Sequence, residues 1–139
     1  MEWTTKNGSE TSGNNTKMKA VLDTNIVIYL QKGLLVGDLP FGEYLISVIT
    51  EMELFSFPDL NEHQRIWLRR FVGAMEIVGL DGAVKRRAIA LRREHRLKLP
   101  DAIIAATAIG RNAVLYSNDR SFAGVPNLKC HELVLAVGP

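Results

Sequence analysis

Short apolar runs alternate with helix-like segments along this sequence, and the alternation limits the possible fold more than any other feature. Lys19 to Asp23 (KAVLD) is such a run, and after the polar Thr24-Asn25 the segment IVIYLQK has the pattern of a helix start. The other strand-like runs are Tyr44 to Ile49, Met75 to Val78 and Ala113 to Tyr116, and Glu132 to Val137 is expected to add one more. Short strands joined by helices are typical of a mostly parallel central sheet flanked by helices. We therefore expect a single α/β domain.

Residues that cap or break helices set the expected boundaries between these strands. Gly33 to Gly42 holds three glycines and a proline, which favours a loop. The expected helices run from Thr50, from Asn61 as a cap to Val72, from Asp81 as a cap to about Arg96, and from Pro100 at a first helical position to Gly110.

The composition is that of one compact domain and identifies no function by itself. Of the 139 residues, 47% are hydrophobic and 23% are charged, which is enough for a core. A net charge of +2 is too mild to identify a nucleic-acid-binding protein. Cys130 is the only cysteine, which excludes an internal disulfide and a cysteine-based zinc site, and we expect a cytoplasmic protein.

Residues 1–17 differ in composition from the rest of the chain. They are polar, rich in Gly, Ser, Thr and Asn, and contain no apolar run that would form a signal-peptide core or a membrane anchor. We expect residues 1–17 to be a flexible tail or an added extension, and residues 18–139 to be the folded domain.

Four carboxylates stand where strands end or helices begin. Asp23 ends the first strand, Glu53 lies early in the helix after the second, Asp101 begins a helix, and Asp119 follows the strand AVLY. In an open parallel sheet such positions meet outside the carboxyl ends of the strands, where ligands bind. We expect the four acids to form one cluster at this edge.

A cluster of carboxylates indicates bound metal, because like charges repel one another unless cations compensate them. Oxygen ligands with no Cys or His beside them suit Mg²⁺ or Mn²⁺ better than zinc. One or two such ions bind a phosphodiester, lower the pKa of bound water from about 15.7 toward neutrality and stabilise the leaving oxygen. The predicted chemistry is metal-assisted hydrolysis, which needs no covalent nucleophile.

Each acid also has an explanation that needs no ligand. Asp23 can cap the next helix, Asp101 is favoured by the helix dipole, and Asp119 in Ser-Asn-Asp-Arg has the pattern of a turn residue. Thr50 and Glu53 fit a capping box, in which each side chain binds the backbone of the other. Only the position of all four at one end of the sheet favours a functional site.

The order of these acids resembles a known family. The segments VLDTNIVIYL, ISVITEMEL, LPDAIIAATA and LYSNDRSF resemble, in this order, the four acidic motifs of PIN-domain nucleases, especially VapC-type toxins of bacterial toxin–antitoxin pairs. The resemblance covers about Met18 to the C-terminus. It implies a Mg²⁺- or Mn²⁺-dependent ribonuclease, often a homodimer, that a small antitoxin holds inactive by covering the cleft.

The resemblance also implies residue roles. Asp23, Glu53, Asp101 and Asp119 take the catalytic metal-binding positions. The groups expected to orient carboxylates or water are Asn25, Thr50, Ser117 and Asn118. In many relatives a second acid precedes the Phe of the last motif, whereas this chain has Ser121 before Phe122. Asp119 is then the only acid that the last motif contributes to the metal site.

Basic and apolar residues suggest where partners bind. From Asp81 to Lys98 there are seven Lys or Arg against two Asp or Glu. We expect Arg96, Lys98 and Arg120 to contact RNA phosphates beside the acids, whereas Lys85 to Arg87 fit a solvated helix face equally well. Among the apolar residues between Phe55 and Phe71, core packing is the simpler role, and Trp67 is the best candidate to dock an antitoxin helix or a second protomer.

Two other functions remain open at this point. A phosphatase of the haloacid-dehalogenase type also places an Asp after the first strand, but its chemistry needs a second Asp two residues on, where this chain has Asn25. A PIN-like module that has lost catalysis and only binds RNA or protein is compatible with Ser121 in the last motif.

Overall fold

The fold was obtained as a computed structural model, which describes residues 18–40 and 42–136. The expected tail, residues 1–17, lies outside this described part of the chain. The described strands are β1 (Lys19–Leu22), β2 (Glu43–Ser47), β3 (Glu76–Val78), β4 (Val114–Tyr116) and β5 (Cys130–His131). The described helices are α1 (Thr24–Gln31), α2 (Val48–Phe55), α3 (Glu62–Gly73), α4 (Gly82–His95) and α5 (Leu99–Gly110), with a 3-10 turn at Arg120–Phe122.

The strands within the described residues form one sheet in the order β3-β2-β1-β4-β5, and every neighbouring pair is parallel. β2 and β3 lie on one side of β1, and β4 and β5 lie on its other side. The expected α/β fold with a mostly parallel sheet is therefore confirmed. The reversal of strand order between β1 and β4 is the kind of position where open α/β sheets bind ligands.

Apolar side chains cover both faces of the sheet, because successive strand residues point to opposite sides. Val21, Leu45 and Leu115 belong to one buried cluster, with residues of α4 and α5. Leu22 and Ile46 belong to a second cluster, with residues of α1, α2 and α3. In α5, every residue from Ala102 to Ala108 is buried, since its small side chains let the helix lie close to its neighbours.

Several predicted caps are confirmed. Asn61 caps α3 in a capping box with Gln64, and the Asp81 side chain accepts from the Val84 N–H at 2.9 Å at the start of α4. Gly110 is the last residue of α5, as predicted, although Pro100 is its second residue rather than its first.

The predicted start of α2 is wrong. This helix begins at Val48, because the fully buried Ser47 caps it: the Ser47 hydroxyl accepts from the Ile49 N–H at 3.1 Å. The apolar pattern of Ser47-Val48-Ile49 does not distinguish the end of a strand from the first turn of a helix. As a consequence Thr50 lies inside α2 and does not cap it.

The predicted last strand over Glu132 to Val137 is also wrong. β5 is Cys130–His131, and Leu135 instead forms an isolated antiparallel bridge with Leu35, while residue 137 lies outside the described part. The segment is apolar because it contributes to the core and not because it is a strand: Leu133 packs against the cluster on the side of α1, α2 and α3. Among the described helices, none has the length and hydropathy needed to cross a membrane.

Candidate active site at the switch point of the sheet

Asp23 leaves the sheet directly beside Ser117, where the Asp23 N–H donates to the carbonyl of Tyr116 at 3.1 Å. Its Oδ1 accepts from the Thr24 N–H at 2.8 Å as the cap of α1, and its Oδ2 accepts from the Ser117 hydroxyl at 2.7 Å. Burial raises the pKa of Asp23, the two hydrogen bonds oppose this rise, and the negative charges of Asp119 and Glu53 add to it. Asp23 is thus both a helix cap and a member of an acidic group.

Glu53 reaches the same edge from the second turn of α2. Thr24 Oγ1 donates to Glu53 Oε1 at 2.5 Å and lies 3.2 Å from Thr50 Oγ1. The capping-box interpretation of Thr50 and Glu53 is wrong, because Ser47 is the cap. Sequence reasoning missed Thr24 as a site residue, and the available signal was a hydroxyl directly after Asp23.

Asp119 is held by the loop that follows β4. The Ser117 hydroxyl oxygen accepts from the Asp119 N–H at 3.0 Å, and Asp119 Oδ1 accepts from the Ser121 N–H at 2.9 Å. Asp119 therefore caps the 3-10 turn, which agrees with its turn-residue interpretation. Because the same Ser117 hydroxyl donates to Asp23, one buried side chain connects two of the predicted acids.

Asp101 lies in the first turn of α5 and is partly exposed. Its pKa is raised from 3.8 to about 6, first by desolvation and then by the negative charges of three other acids, Asp23, Asp119 and Glu53. Lys98, directly before α5, lowers this pKa. Four carboxylates from distant parts of the sequence thus lie within electrostatic reach of one another, and we call these four side chains the acidic rim.

The acidic rim is not a finished coordination sphere. Within residues 18–40 and 42–136, no three His, Cys, Asp or Glu side chains converge closely enough to be a ready metal-binding group. Asp23, Glu53 and Asp119 each accept a hydrogen bond from a protein donor. Carboxylates retain further lone pairs in such bonds, and an all-oxygen set of this kind fits a hard divalent cation.

The Cys130 thiol packs behind the rim, with Sγ 3.9 Å from the carbonyl oxygen of Ser117. Burial raises the pKa of Cys130 to about 11, and the charges of Asp23, Glu132 and Asp119 contribute. The raised pKa disfavours the thiolate form of Cys130, which is the form that binds metals.

The four residues predicted to orient carboxylates or water differ in burial and in their hydrogen-bond partners. Thr50 and Ser117 are buried and lie against Thr24 and Asp23 respectively. Asn25 is exposed on the first turn of α1. The Asn118 amide donates to the carbonyl of Leu133 at 3.0 Å and accepts from the Leu133 N–H at 2.8 Å, so its described bonds go to the C-terminal segment rather than to a carboxylate.

The predicted phosphate-binding residues are exposed and near the acids in sequence. Arg96 ends α4 in a left-handed conformation with φ 58°, Lys98 precedes α5, and Arg120 begins the 3-10 turn after Asp119. By contrast the Arg87 guanidinium lies against Gly110, at the other end of α5 from Asp101. The Arg87 side chain is therefore directed away from the acidic rim.

The apolar residues before and within α3 divide into core and surface. Trp67 stacks on Phe71, with ring centroids 5.0 Å apart and planes 7° from parallel, and packs against the cluster on its side of the sheet. The side chains left exposed near α2 and α3 are Met52 at 59%, Phe57 at 38%, Ile66 at 37% and Phe55 at 36%.

Comparison with known proteins agrees with this fold. Residues 20–128 match the family model of the PIN domain. A chain of a toxin–antitoxin complex from Klebsiella pneumoniae is 33% identical, with 78% of this chain and 94% of that chain covered and a TM-score of 0.65. A chain of VapBC-1 from nontypeable Haemophilus influenzae is 25% identical, with 83% and 98% covered and a TM-score of 0.64.

A more distant relative shares the fold. A chain of VapBC2 from Rickettsia felis, in a structure bound to a promoter DNA fragment, is 23% identical over 84% of this chain and 100% of that chain, with a TM-score of 0.66. A search of curated proteins gave no significant match.

Fold and site define a parallel α/β domain with acids gathered where the strand order reverses. This chain belongs to the PIN-domain family, and the expected resemblance to VapC-type proteins is confirmed. The dehalogenase alternative is excluded by the same family match.

Proposed function

We propose that this protein is a divalent-metal-dependent ribonuclease and the toxin of a toxin–antitoxin pair. PIN domains of the VapC type are nucleases as a family, which supports hydrolysis of phosphodiester bonds. The observation that carries the proposal is the hydrogen bonding of Ser117 to both Asp23 and Asp119 and of Thr24 to Glu53, which gathers three acids at one edge of the sheet. Desolvation and the charges of these acids together raise the pKa of the fourth, Asp101. Four like charges in one place destabilise a protein unless a cation neutralises them, so their collection indicates a metal-dependent role.

The four side chains of the acidic rim would hold Mg²⁺ or Mn²⁺, as one or two ions: Asp23, Glu53, Asp101 and Asp119. Such an ion, when bound, supplies Lewis-acid activation of water and of the phosphodiester. The protein's own hydrogen bonds prepare two of these carboxylates for the ion. The hydroxyls of Ser117 and Thr24 fix the orientation of Asp23 and Glu53, so that less freedom is lost when a cation binds.

Three basic residues would bind the RNA backbone beside the acidic rim: Arg96, Lys98 and Arg120. Lys98 already lowers the pKa of Asp101, so its charge acts on the rim. Arg120 follows Asp119 directly in sequence and is exposed. Phosphate contacts of this kind position the substrate without reading its sequence.

The direct test is cleavage of single-stranded and structured RNA by the purified protein with Mg²⁺ or Mn²⁺. We expect EDTA to stop cleavage and Asp23→Asn to abolish it, because the variant loses a negative ligand while its shape is kept. Asp59→Asn, at an exposed acid between α2 and α3, is the matched control and should cleave normally. Undiminished cleavage by Asp23→Asn would show that other groups, or a contaminant, perform the reaction.

A specific observation also favours a second candidate, a PIN-like module that binds RNA or protein without cleaving. Ser121 stands where many relatives carry an acid, and its N–H binds Asp119 Oδ1 at 2.9 Å. If the missing acid has removed catalysis, the protein binds RNA but does not cleave it with any divalent metal, and Ser121→Asp gains activity. An active natural sequence would exclude this candidate.

The proposed partner is a small antitoxin protein, and we further propose a cytoplasmic homodimer. The solved relatives from Klebsiella pneumoniae and Haemophilus influenzae come from toxin–antitoxin and VapBC structures. Met52, Phe55 and Phe57 leave apolar surface exposed along and after α2, which suits an apolar helix. Expression alone should arrest growth, co-expression of the neighbouring reading frame should relieve the arrest, and light scattering should report the mass of two chains.

A further inference from the structure

The pairing of β4 with β5 stops in an unusual way next to Asp119. The ladder advances by two residues at a time: the Leu115 N–H donates to the Lys129 carbonyl at 2.8 Å, and the Ser117 N–H donates to the His131 carbonyl at 3.0 Å. Continued by one more step, this series would have the Asp119 N–H donate to the carbonyl of Leu133. The Asp119 N–H instead donates to the Ser117 hydroxyl at 3.0 Å.

The Asn118 side chain takes over the missing step. Its Nδ2 donates to the Leu133 carbonyl at 3.0 Å, which is the bond that the Asp119 N–H would have made. Its Oδ1 accepts from the Leu133 N–H at 2.8 Å, so the amide binds both backbone groups of one residue. The side chain therefore continues the sheet while the main chain turns away from it.

The segment held by Asn118 is tied down again further along. The Val36 N–H donates to the carbonyl of Val134 at 3.0 Å, and Leu135 pairs with Leu35 in an antiparallel bridge. Leu133 itself packs against the cluster on the side of α1, α2 and α3. The segment 133–136 is thus a fixed support, and Asn118 anchors the loop of Asp119 to it.

We propose that Asn118 is a positioning residue, which pairs with the Leu133 backbone in place of Asp119. This pairing sets the path by which the chain leaves β4, and it thereby places the Asp119 carboxylate beside the other acids of the acidic rim. This role rests on the proposed function, but it differs from direct contact with carboxylates, water or substrate. Without the Asn118 amide, the Leu133 carbonyl lacks its donor and the Asp119 N–H is the nearest replacement in the ladder. Asp119 would then be drawn back toward the strand and away from Ser117.

The first test uses metal-free protein and no activity measurement. In Asn118→Ala we expect amide hydrogen exchange to accelerate at Leu133 by at least about tenfold, while Leu22 in β1 keeps the exchange rate of the natural sequence. The chemical shift of the Asp119 amide should also move, because its acceptor changes. An unchanged Asp119 amide would overturn the proposal, even if RNA cleavage were weakened.

The second test separates positioning from direct participation. Asn118→Ala should raise the Mn²⁺ concentration for half-maximal binding or cleavage by about 10- to 100-fold, with the RNA KM nearly unchanged. Leu133→Pro, which lacks the N–H, should produce the same change, whereas Leu133→Ala, which keeps it, is the matched control. In the double variant Asn118→Ala/Leu133→Pro the two effects should not multiply.

Two results would contradict the proposal. Full multiplication of the two effects would mean that Asn118 acts on the metal or RNA without Leu133. A higher RNA KM with unchanged Mn²⁺ dependence would make Asn118 a substrate contact. If the natural sequence binds no Mn²⁺ and cleaves no RNA, the proposed function fails, while the hydrogen-exchange test still decides the role of Asn118. Circular dichroism melting of each variant identifies any loss of fold.

Discussion

Asp101→Asn should stabilise the metal-free protein at neutral pH. The pKa of Asp101 rises from 3.8 to about 6 on folding, so the ionised side chain is disfavoured in the native state. A rise of this size corresponds to at most about 3 kcal/mol, and partial exposure of the group reduces it, so we expect a gain of about 1–2 kcal/mol. Asn has the shape of the protonated acid and cannot ionise.

The raised pKa of Asp101 also determines how the stability of the metal-free protein depends on pH. Because the folded pKa is raised, the native state binds more protons than the unfolded state between about pH 4 and 6, and the metal-free protein gains stability as the pH falls through this range. Asn at position 101 does not titrate. The advantage of Asp101→Asn should therefore shrink by about half between pH 7.5 and pH 5.

Urea unfolding in EDTA at both pH values measures the effect, with Asp59→Asn as the control. The gain corresponds to a rise in Tm of roughly 3–8 °C. Saturating Mg²⁺ should reverse the order of stability, because ligand at 100 times its Kd adds about 2.7 kcal/mol to a protein that still binds it. A destabilised Asp101→Asn protein in EDTA at pH 7.5 would refute the electrostatic reasoning.

Three further predictions concern the surrounding hydrogen bonds and charges. Ser117→Ala should lower the free energy of unfolding by about 1–3 kcal/mol in chemical denaturation, since it removes the donor to the buried Asp23. Ser117→Thr keeps the hydroxyl and should retain most of this free energy. Equal losses in both variants would indicate a packing effect instead. Thr24→Val should reduce RNA cleavage by freeing Glu53, while Thr24→Ser keeps the hydroxyl and the rate; identical rates in the two variants would remove Thr24 from the site. Lys98→Ala should reduce the slope of log binding constant against log salt by about 0.7 for single-stranded RNA, as one lost phosphate contact requires, and an unchanged slope would place Lys98 off the RNA path.

The sequence was sufficient to predict four of the five described strands and the four acids of the rim, because both depend on local signals. Buried parallel strands give short apolar runs; Asp23 directly follows β1, and Asp119 follows β4 after Ser117 and Asn118. The caps Asn61 and Asp81 were predictable for the same reason, since a capping residue binds backbone three residues away.

The errors arose where a long-range contact decides the outcome. Glu53 and Thr50 match a capping box locally, but the Thr24 hydroxyl, 29 residues from Glu53, binds the carboxylate instead. The apolar segment from Leu133 has a strand-like composition, yet Asn118 and the loop at Leu35 determine its pairing. Neither preference can be read from composition, because each depends on which elements meet in the folded chain.

Strand order also determines when this protein can first become active during synthesis. β1 lies between β2 and β4, yet β4 follows β2 and β3 in the chain, so one side of β1 stays open until residues 114–116 have left the ribosome. At about 5–20 residues per second, several seconds separate the appearance of Asp23 from that of Asp119. Under the proposed function, a nascent or truncated chain that ends before β4 lacks Asp119 and therefore does not cleave RNA.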